Sequence, residues 1–355
     1  LSRPYGLIAD LHLHAWKSFS RVDDDGVNSR LKILLKEIKR VAKTVAEAGG
    51  DTVVIAGDVF HVRGQVAPSV LIPTRDVLID IAGALGIRFI IMPGNHDMEF
   101  KESARLGNAI SALEERGLVE VTDENFIGNE FVLIPWHESV ETLKANLKLS
   151  VAKDPAKTDL ILHAPINGVI TGIPDHGLDP TYLAGLGFRR VFAGHYHNHK
   201  EFAGGVYSIG ALAHHTWSDI GTRAGFLLVY PDKVVYQASH APEFIEILPE
   251  MDEDEVALRV PGNYVRAKTH CTKAAELNEL RDYLVKQGAA GVLIQHVPAP
   301  VTTRDGTVAR AASGVGGSLE ASIGAFIDGA SYIDADQRTA VSKHCQAILA
   351  EAAVV

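Results

Sequence analysis

Five short apolar runs in the first 200 residues each stop at a turn carrying a metal-binding side chain, and this recurrence limits the fold more than any other feature. Residues 5–9 run into Asp10 and His12, and residues 52–56 into Gly57 and Asp58. Residues 88–92 pass through Pro93 and Gly94 into Asn95, His96 and Asp97. Residues 158–162 lead to His163, and residues 190–193 pass through Gly194 to His195 and His197. Short β-branched and aliphatic runs bounded by Gly and Pro read as buried strands. In α/β sheets ligands gather outside the carboxyl ends of the strands. Five strand ends offering carboxylate, imidazole or amide groups therefore describe one convergent site. Taken singly none is telling, because a lone His is more often a surface or hydrogen-bonded residue and an Asp after a strand more often a cap. The repetition makes the constellation.

The intervening sequence has the helical period. Residues 29–48 place Leu31, Leu34, Leu35, Ile38, Val41, Ala42 and Val45 on one face, and Gly49-Gly50 stops the run. Further helices are expected over 70–85, 104–115, 138–149 and 182–186, with strands at 130–134 and 205–209. A hairpin of 225–230 and 233–237 turns about Pro231-Asp232. Strands alternating with helices argue for an α/β layered fold, and the helix-poor stretch near residue 240 for a partly antiparallel or mixed sheet. Acidic residues at 250 and 252–255 mark a linker or exposed loop at 246–258. This divides the chain into a domain at 1–245 carrying the site and a small α+β cap with a helical tail at 259–355. The cap reads as strand, helix and strand at 264–269, 273–287 and 291–296. A Gly/Ser-rich mobile loop at 304–318 and an amphipathic helix at 336–352 follow.

Composition removes several function classes. With 46% hydrophobic and 22% charged residues the chain is globular, and no window approaches the ~18 apolar residues of a membrane span. The first strand opens at residue 5, leaving no room for a basic segment followed by an apolar one; a processed start would hide such a leader. Cys271 and Cys345, the only cysteines, read as reduced thiols of a cytoplasmic protein. Net charge is −10, from 34 Lys and Arg against 44 Asp and Glu, which is opposite to a basic nucleic-acid binder. Bound cations would offset part of that charge locally, and a partner would supply the rest.

The donor set narrows the cofactor. Asp10, His12, Asp58, Asn95, His163, His195 and His197 supply carboxylates, imidazoles and one amide but no thiolate, which suits Mn, Fe or Zn in an open site. Two ions about 3.5–4 Å apart need a shared ligand, and Asp58, alone after its strand, is the natural bridge. Asp10 and His12 are paired as if for one ion.

At these residues the sequence resembles the calcineurin-like metallophosphoesterase superfamily, through Asp10-Leu-His12, Gly57-Asp58, Gly94-Asn95-His96-Asp97, His163 and Gly194-His195-Tyr-His197. The resemblance implies a four-layer α/β/β/α sandwich with a small α+β C-terminal cap, and two divalent ions, Mn²⁺ first with Mg²⁺, Fe²⁺ or Zn²⁺ as alternatives. It implies that Asp58 bridges, that Asp10, His12 and His197 complete one site, and that Asn95, His163 and His195 complete the other. His96 would contact the scissile phosphate and assist the leaving group; Asp97 would orient His96 or cap the following helix.

Within that superfamily the flanks resemble the DNA-repair exonuclease branch, which includes the nuclease subunit of the bacterial SbcCD complex and phage-encoded relatives. Gly57-Asp-Val-Phe-His61, Arg63-Gly64, Ala67-Pro-Ser69 and Tyr207 to Gly210 carry this likeness, which covers roughly residues 5 to 240. It implies DNA hydrolysis by metal-activated water, 3′–5′ exonuclease action and single-strand endonuclease activity. The implied assembly is a homodimer with an SMC-like ATPase partner, in the cytoplasm, the bacterial host's if the gene is a phage's. His61, His14, Arg63 and His215 (or His214) are candidate substrate contacts. Each also has a local reading, as loop residue, carboxylate partner or surface ion pair. Trp16 and Phe19 would stack on bases or pin a loop to the core. A phosphoesterase for small nucleotides or cyclic diesters, which suits the acidity, is the competing reading, and a scaffold for an ATPase is the third.

Overall fold

The computed structural model describes residues 3–99, 108–122, 125–128, 130–149, 154–172, 174, 176–298, 327, 338–339 and 341–345. Leu1–Gln295 form one compact unit and His296–Val355 a second. The first unit opens with β1 (Tyr5–Ile8), α1 (Ser29–Glu47), β2 (Thr52–Ala56), α2 (Pro68–Leu85) and β3 (Arg88–Met92). It continues through β4 (Val119–Val121), β5 (Phe126–Ile127), β6 (Phe131–Ile134), α3 (Val140–Leu149), β7 (Asp159–His163) and α4 (Pro180–Ala184). Next come β8 (Arg190–Gly194), β9 (Lys200–Phe202), β10 (Val206–Ser208), β11 (Gly225–Val229) and β12 (Val234–Ala238). It ends with β13 (Phe244–Ile247), α5 (Glu253–Arg259), β14 (Tyr264–Thr269), α6 (Ala274–Lys286) and β15 (Gly291–His296).

Two six-stranded mixed sheets form the centre, ordered β12-β11-β1-β2-β3-β4 and β5-β6-β7-β8-β10-β9. β1 to β4 run parallel and β11 antiparallel to β1; β6, β7, β8 and β10 run parallel between antiparallel edges. Strand alternation explains the layering. Leu7, Val54, Ala56, Ile90 and Met92 from the first sheet pack on Leu133, Ile161 and Phe192 from the second. The opposite faces, with Val53, Ile55, Phe89 and Ile91, pack against the α1 and α2 residues Ile38, Val41 and Leu78. Leu160, Leu162 and Val191 pack against Leu143, Leu147 and Leu183 of α3 and α4. The result is a four-layer α/β/β/α sandwich followed by a smaller α+β region.

α1 buries the face that its periodicity predicts, and the Asn28 side chain caps it by accepting from the Arg30 and Leu31 amides. At the amino-terminal end of the strands, fully buried Asp159 accepts from Tyr5 Oη at 2.9 Å and from the guanidiniums of Arg189 and Arg190. Tyr5 lies in one sheet and Asp159 in the other, so this network ties the sheets together.

The third sheet, β13-β14-β15, packs Ile245, Ile247, Val265 and Ala267 against Val256 and Leu284 of its helices. Here part of the acidic run read as linker or loop is helical, with Glu253, Asp254 and Glu255 opening α5. Asp252 accepts from the Glu255 amide, and three carboxylates in the first turn of α5 face the positive end of the helix dipole. The helix expected at 104–115 is a short 3₁₀ turn, Ala109–Leu113, capped by Asn108; residues 104–107 lie outside the described ones. The loop expected at 304–318 also lies outside them, as does most of the tail helix, of which 338–339 and 341–345 are helical. Cys271 and Cys345 are free thiols. Among the described residues no helix is long and apolar enough to cross a membrane.

Candidate metal centre

Every candidate ligand stands at the carboxyl end of a parallel strand. Asp10 and His12 follow β1, Asp58 follows β2, and Asn95 follows β3. His163 is the last residue of β7, and His195 and His197 follow β8. The first two loops are zipped together, with the Asp10 amide donating to Gly57 O, His12 to Asp58 O and Leu13 to Val59 O at 2.8–3.1 Å. This holds Asp10, His12 and Asp58 at positive φ (52°, 42° and 51°), where a side chain is strained by roughly 1–3 kcal/mol each; His195 is likewise at 115°. Gly57 (φ 89°) and Gly94 leave space that the ligands occupy. A Cβ on Gly57 would strike the His163 ring, and one on Gly94 the Asp58 carboxylate.

Two clusters result, each with one ligand atom per residue inside 4.8 Å: Asp10, His12 and His197, and Asp58, His163 and His195. Asp58 reaches both, 3.7 Å from His12 Nε2 and 3.5 Å from His163 Nε2. Asn95 Oδ1 lies 3.2 Å from His163 Nε2 and 3.0 Å from His195 Nδ1. A third cluster joins His12, His61 and His96.

The donor chemistry tests whether cations fit. His163 Nδ1 donates to Ala56 O at 2.8 Å, so in the neutral ring Nε2 carries a lone pair, aimed at the oxygens of Asn95 and Asp58. His197 Nδ1 donates to Asp219 Oδ1 at 2.6 Å, so its neutral Nε2 presents a lone pair to His12 Nε2 at 3.1 Å. Acceptors at such separations need a positive centre between them, a proton or a cation. The residues fit two ions: Asp10, His12, His197 and Asp58 for one, and Asp58, Asn95, His163 and His195 for the other.

The electrostatics agree. Burial raises the Asp58 carboxyl, but His163, His12 and His96 outweigh it and hold the group well below the usual carboxylate range. Burial lowers His163, and Asp58 outweighs that, pushing it up to about 9. Burial followed by the charge of His163 takes His195 down to about 3, keeping it a neutral ligand. Asp10 is raised by burial against the pull of His163.

His96 lies beside the two clusters. Its amide donates to Asp58 Oδ1 at 2.8 Å and its Nδ1 to His61 O at 2.7 Å, leaving Nε2 uncommitted. Asp97 does not hydrogen-bond to that ring. Fully buried, it accepts from the amides of Val59, Phe60 and Gly94, and burial and then Asp58 raise it to about 7. It thus fastens the Asp58 loop to the Asn95 loop. His61 stacks on His96 at 5.7 Å and lies tilted against Trp16 at 4.4 Å, and His14 packs against both His61 and Trp16. Arg63 is half-buried on the same loop as His61. His215 is buried, donating from Nε2 to Asp10 O at 2.9 Å, and His214 meets Thr222 O and the Phe244 amide. Phe19 stacks on Tyr264, which pins its loop.

Sequence reasoning missed two neighbours. Trp136 stacks on His195 at 5.1 Å, and Asp219 accepts a hydrogen bond from His197 Nδ1. Asp219 closes a capping box, Thr216-Trp-Ser-Asp219, whose spacing is the one signal that singles it out.

Several solved structures are similar to this chain, among them the following two. A dimetal phosphatase from Danio rerio is 13% identical with a TM-score of 0.42, covering 67% of this chain and 96% of its own. TT1561 of Thermus thermophilus is 10% identical with a TM-score of 0.40, covering 67% of this chain and 99% of its own. Among curated proteins no sequence matches. The sequence profile of the calcineurin-like phosphoesterases matches residues 3–199, more than half of the chain and a span that takes in both clusters. The chain belongs to that family.

Proposed function

We propose that this protein is a two-metal phosphodiesterase acting on DNA, as a 3′–5′ exonuclease with single-strand endonuclease activity and Mn²⁺ as its preferred ion. The observation that carries the reading is His96, anchored through both its amide and Nδ1 beside two candidate ligand clusters, one containing Asp58 and the other 3.7 Å from it at His12 Nε2. Bound cations would neutralise the phosphodiester and lower the pKa of a water for in-line attack. A proton on the uncommitted Nε2 of His96 is the acid that the leaving oxygen needs. Asp97 holds the two loops that carry Asp58 and His96 at fixed spacing. DNA rather than a phosphomonoester is supported by the motif Gly57-Asp-Val-Phe-His61 and by the half-buried rings of Trp16, His14 and His61, which pack together at the margin of the site. The net charge of −10 favours a second reading, a phosphodiesterase for small or cyclic nucleotides.

The test compares 5′- and 3′-labelled single- and double-stranded DNA with a small diester, with and without Mn²⁺, using Asp58→Asn as control. Mn²⁺-dependent shortening from 3′ ends, absent in the variant, is expected. Diester turnover with DNA intact at stoichiometric enzyme overturns the nuclease reading in favour of the second. For assembly we extend the proposal to a homodimer and an SMC-like ATPase partner, which light scattering and pull-down from the native source would detect.

A further inference from the structure

We infer that Asp219 is a positioning residue for one of the two metal sites only, setting the His197 tautomer and supporting Asp10, so that its loss uncouples the two ions. The inference rests on the two-metal reading and adds an asymmetry to it. Asp219 is 2% exposed and divides its oxygens between two tasks. Oδ1 accepts from His197 Nδ1 at 2.6 Å, while Oδ2 accepts from the amides of His215 and Thr216, each at 2.8 Å. The first contact keeps the proton on Nδ1 and leaves Nε2 as the atom facing His12. The second fixes the backbone of His215, whose Nε2 donates to Asp10 O and so holds a ligand at φ 52°. Both tasks serve the cluster of Asp10, His12 and His197.

The other cluster has a different support. His163 donates to a main-chain carbonyl, Ala56 O, and the His195 amide donates to the Asp10 carboxylate. Among the imidazole ligands of the two clusters, His197 is thus oriented by a side-chain carboxylate and His163 by backbone. A carboxylate behind a ligating histidine also makes that imidazole a stronger donor.

Asp219→Asn separates this role from a purely structural one. The amide oxygen can still accept from the His215 and Thr216 amides, preserving the turn. The amide nitrogen then faces His197 Nδ1, and two donors cannot share that contact, so the histidine proton moves to Nε2 and blocks the ligand lone pair. Apo protein labelled with ¹⁵N-histidine reports the tautomer without metal or substrate, and titration calorimetry with Mn²⁺ reports each ion. Expected are an Nδ1–H tautomer for His197 in the wild type and Nε2–H in the variant. One of the two Mn²⁺ affinities should fall roughly 10- to 100-fold while the other is unchanged. An unchanged tautomer, or equal loss of both ions, overturns the inference. If the variant does not fold, the wild-type tautomer alone decides: Nδ1–H supports and Nε2–H overturns. Wild type that binds no pair of ions would sink the two-metal reading, whereas the tautomer would still report on Asp219.

Discussion

Replacing Gly94 by alanine adds one methyl group where the structure has room for none. The new Cβ would meet the Asp58 backbone nitrogen and carboxylate, with the carboxyl carbon only 2.8 Å away. The carboxylate cannot simply swing aside, because Oδ1 accepts the His96 amide at 2.8 Å. Overpacking a rigid interior costs roughly 1–3 kcal/mol. Breaking a hydrogen bond to a charged group costs a further ~1.5–3 kcal/mol. Because that Cβ would also strike the Asp58 backbone nitrogen, the Asp58 loop itself must shift and carry with it the carboxylate proposed to bridge the ions, so the penalty of roughly 2.5–6 kcal/mol falls on metal binding. That corresponds to a loss of about 10²- to 10⁴-fold in affinity. Elemental analysis, Mn²⁺ calorimetry and diester turnover would read it, with circular dichroism confirming the fold. Gly83 is the control, since it lies in α2 with open space around its Cβ position. Gly83→Ala should leave metals and turnover untouched and stabilise by roughly 0.5–1 kcal/mol. A folded Gly94→Ala enzyme with two ions at wild-type affinity and wild-type turnover would refute the reasoning.

Other consequences are independent of that methyl group. Asp159→Asn removes the charge opposite buried Arg190 and should destabilise the fold by roughly 3–5 kcal/mol while sparing Mn²⁺ affinity, read by urea unfolding beside calorimetry. Loss of metal affinity instead would mean that the network acts on the site. His96→Asn should retain two ions by elemental analysis yet lose most turnover; loss of both metals would contradict its role. His163 holds a proton up to about pH 9, so below that pH a cation must displace it. Apparent affinity should climb with pH and level off near 9 in Mn²⁺ titrations. Without metal the sign reverses: the raised His163 pKa stabilises the fold fully below about pH 6.5, a gain lost as pH rises through 9. A flat affinity profile between pH 6 and 9 would count against His163 as a ligand.

The gathering of ligand atoms was legible because chemistry that repeats at strand ends leaves a linear trace. Asp10, Asp58, Asn95, His163 and His195 each follow or end an apolar run, and parallel strands deliver such ends to one side. Asp219 left almost no trace. It is 22 residues beyond His197 in an irregular loop, and its contact depends on how that loop folds back. Asp97 reads by adjacency as a partner of His96, whereas its carboxylate turns toward the Gly94 amide of its own loop and the Val59 and Phe60 amides of the next. In the smaller sheet β14, α6 and β15 show their periods. The four-residue β13 is too short for alternation to stand out, and the α5 carboxylates, which resemble a solvated linker, are favourable at a helix start. His215 looks in sequence like a group near substrate; in the structure it is buried against the rings of His12 and His197 and donates to Asp10 O.

The two sheets meet through polar chemistry at both ends, and the ends differ in kind. At the amino-terminal end of the strands the charges close on themselves: Asp159 is matched by two guanidiniums and a phenol. At the carboxyl-terminal end, Asp10, His12, Asp58 and Asn95 come from the first sheet, and His163, His195 and His197 from the second. That end is acceptor-rich, with two buried carboxylates and several lone pairs at contact distance. The layer between the two ends is apolar, filled by Leu7, Ile90, Leu133 and Phe192. Ions bound there would cross-link the two sheets, since each sheet supplies candidate ligands. Stability added by a bound ion grows with its concentration relative to its dissociation constant. The strain of four candidate ligands at positive φ, Asp10, His12, Asp58 and His195, is carried in a sandwich anchored at its far end by the Asp159 network, and bound ions would add a second anchor at the site.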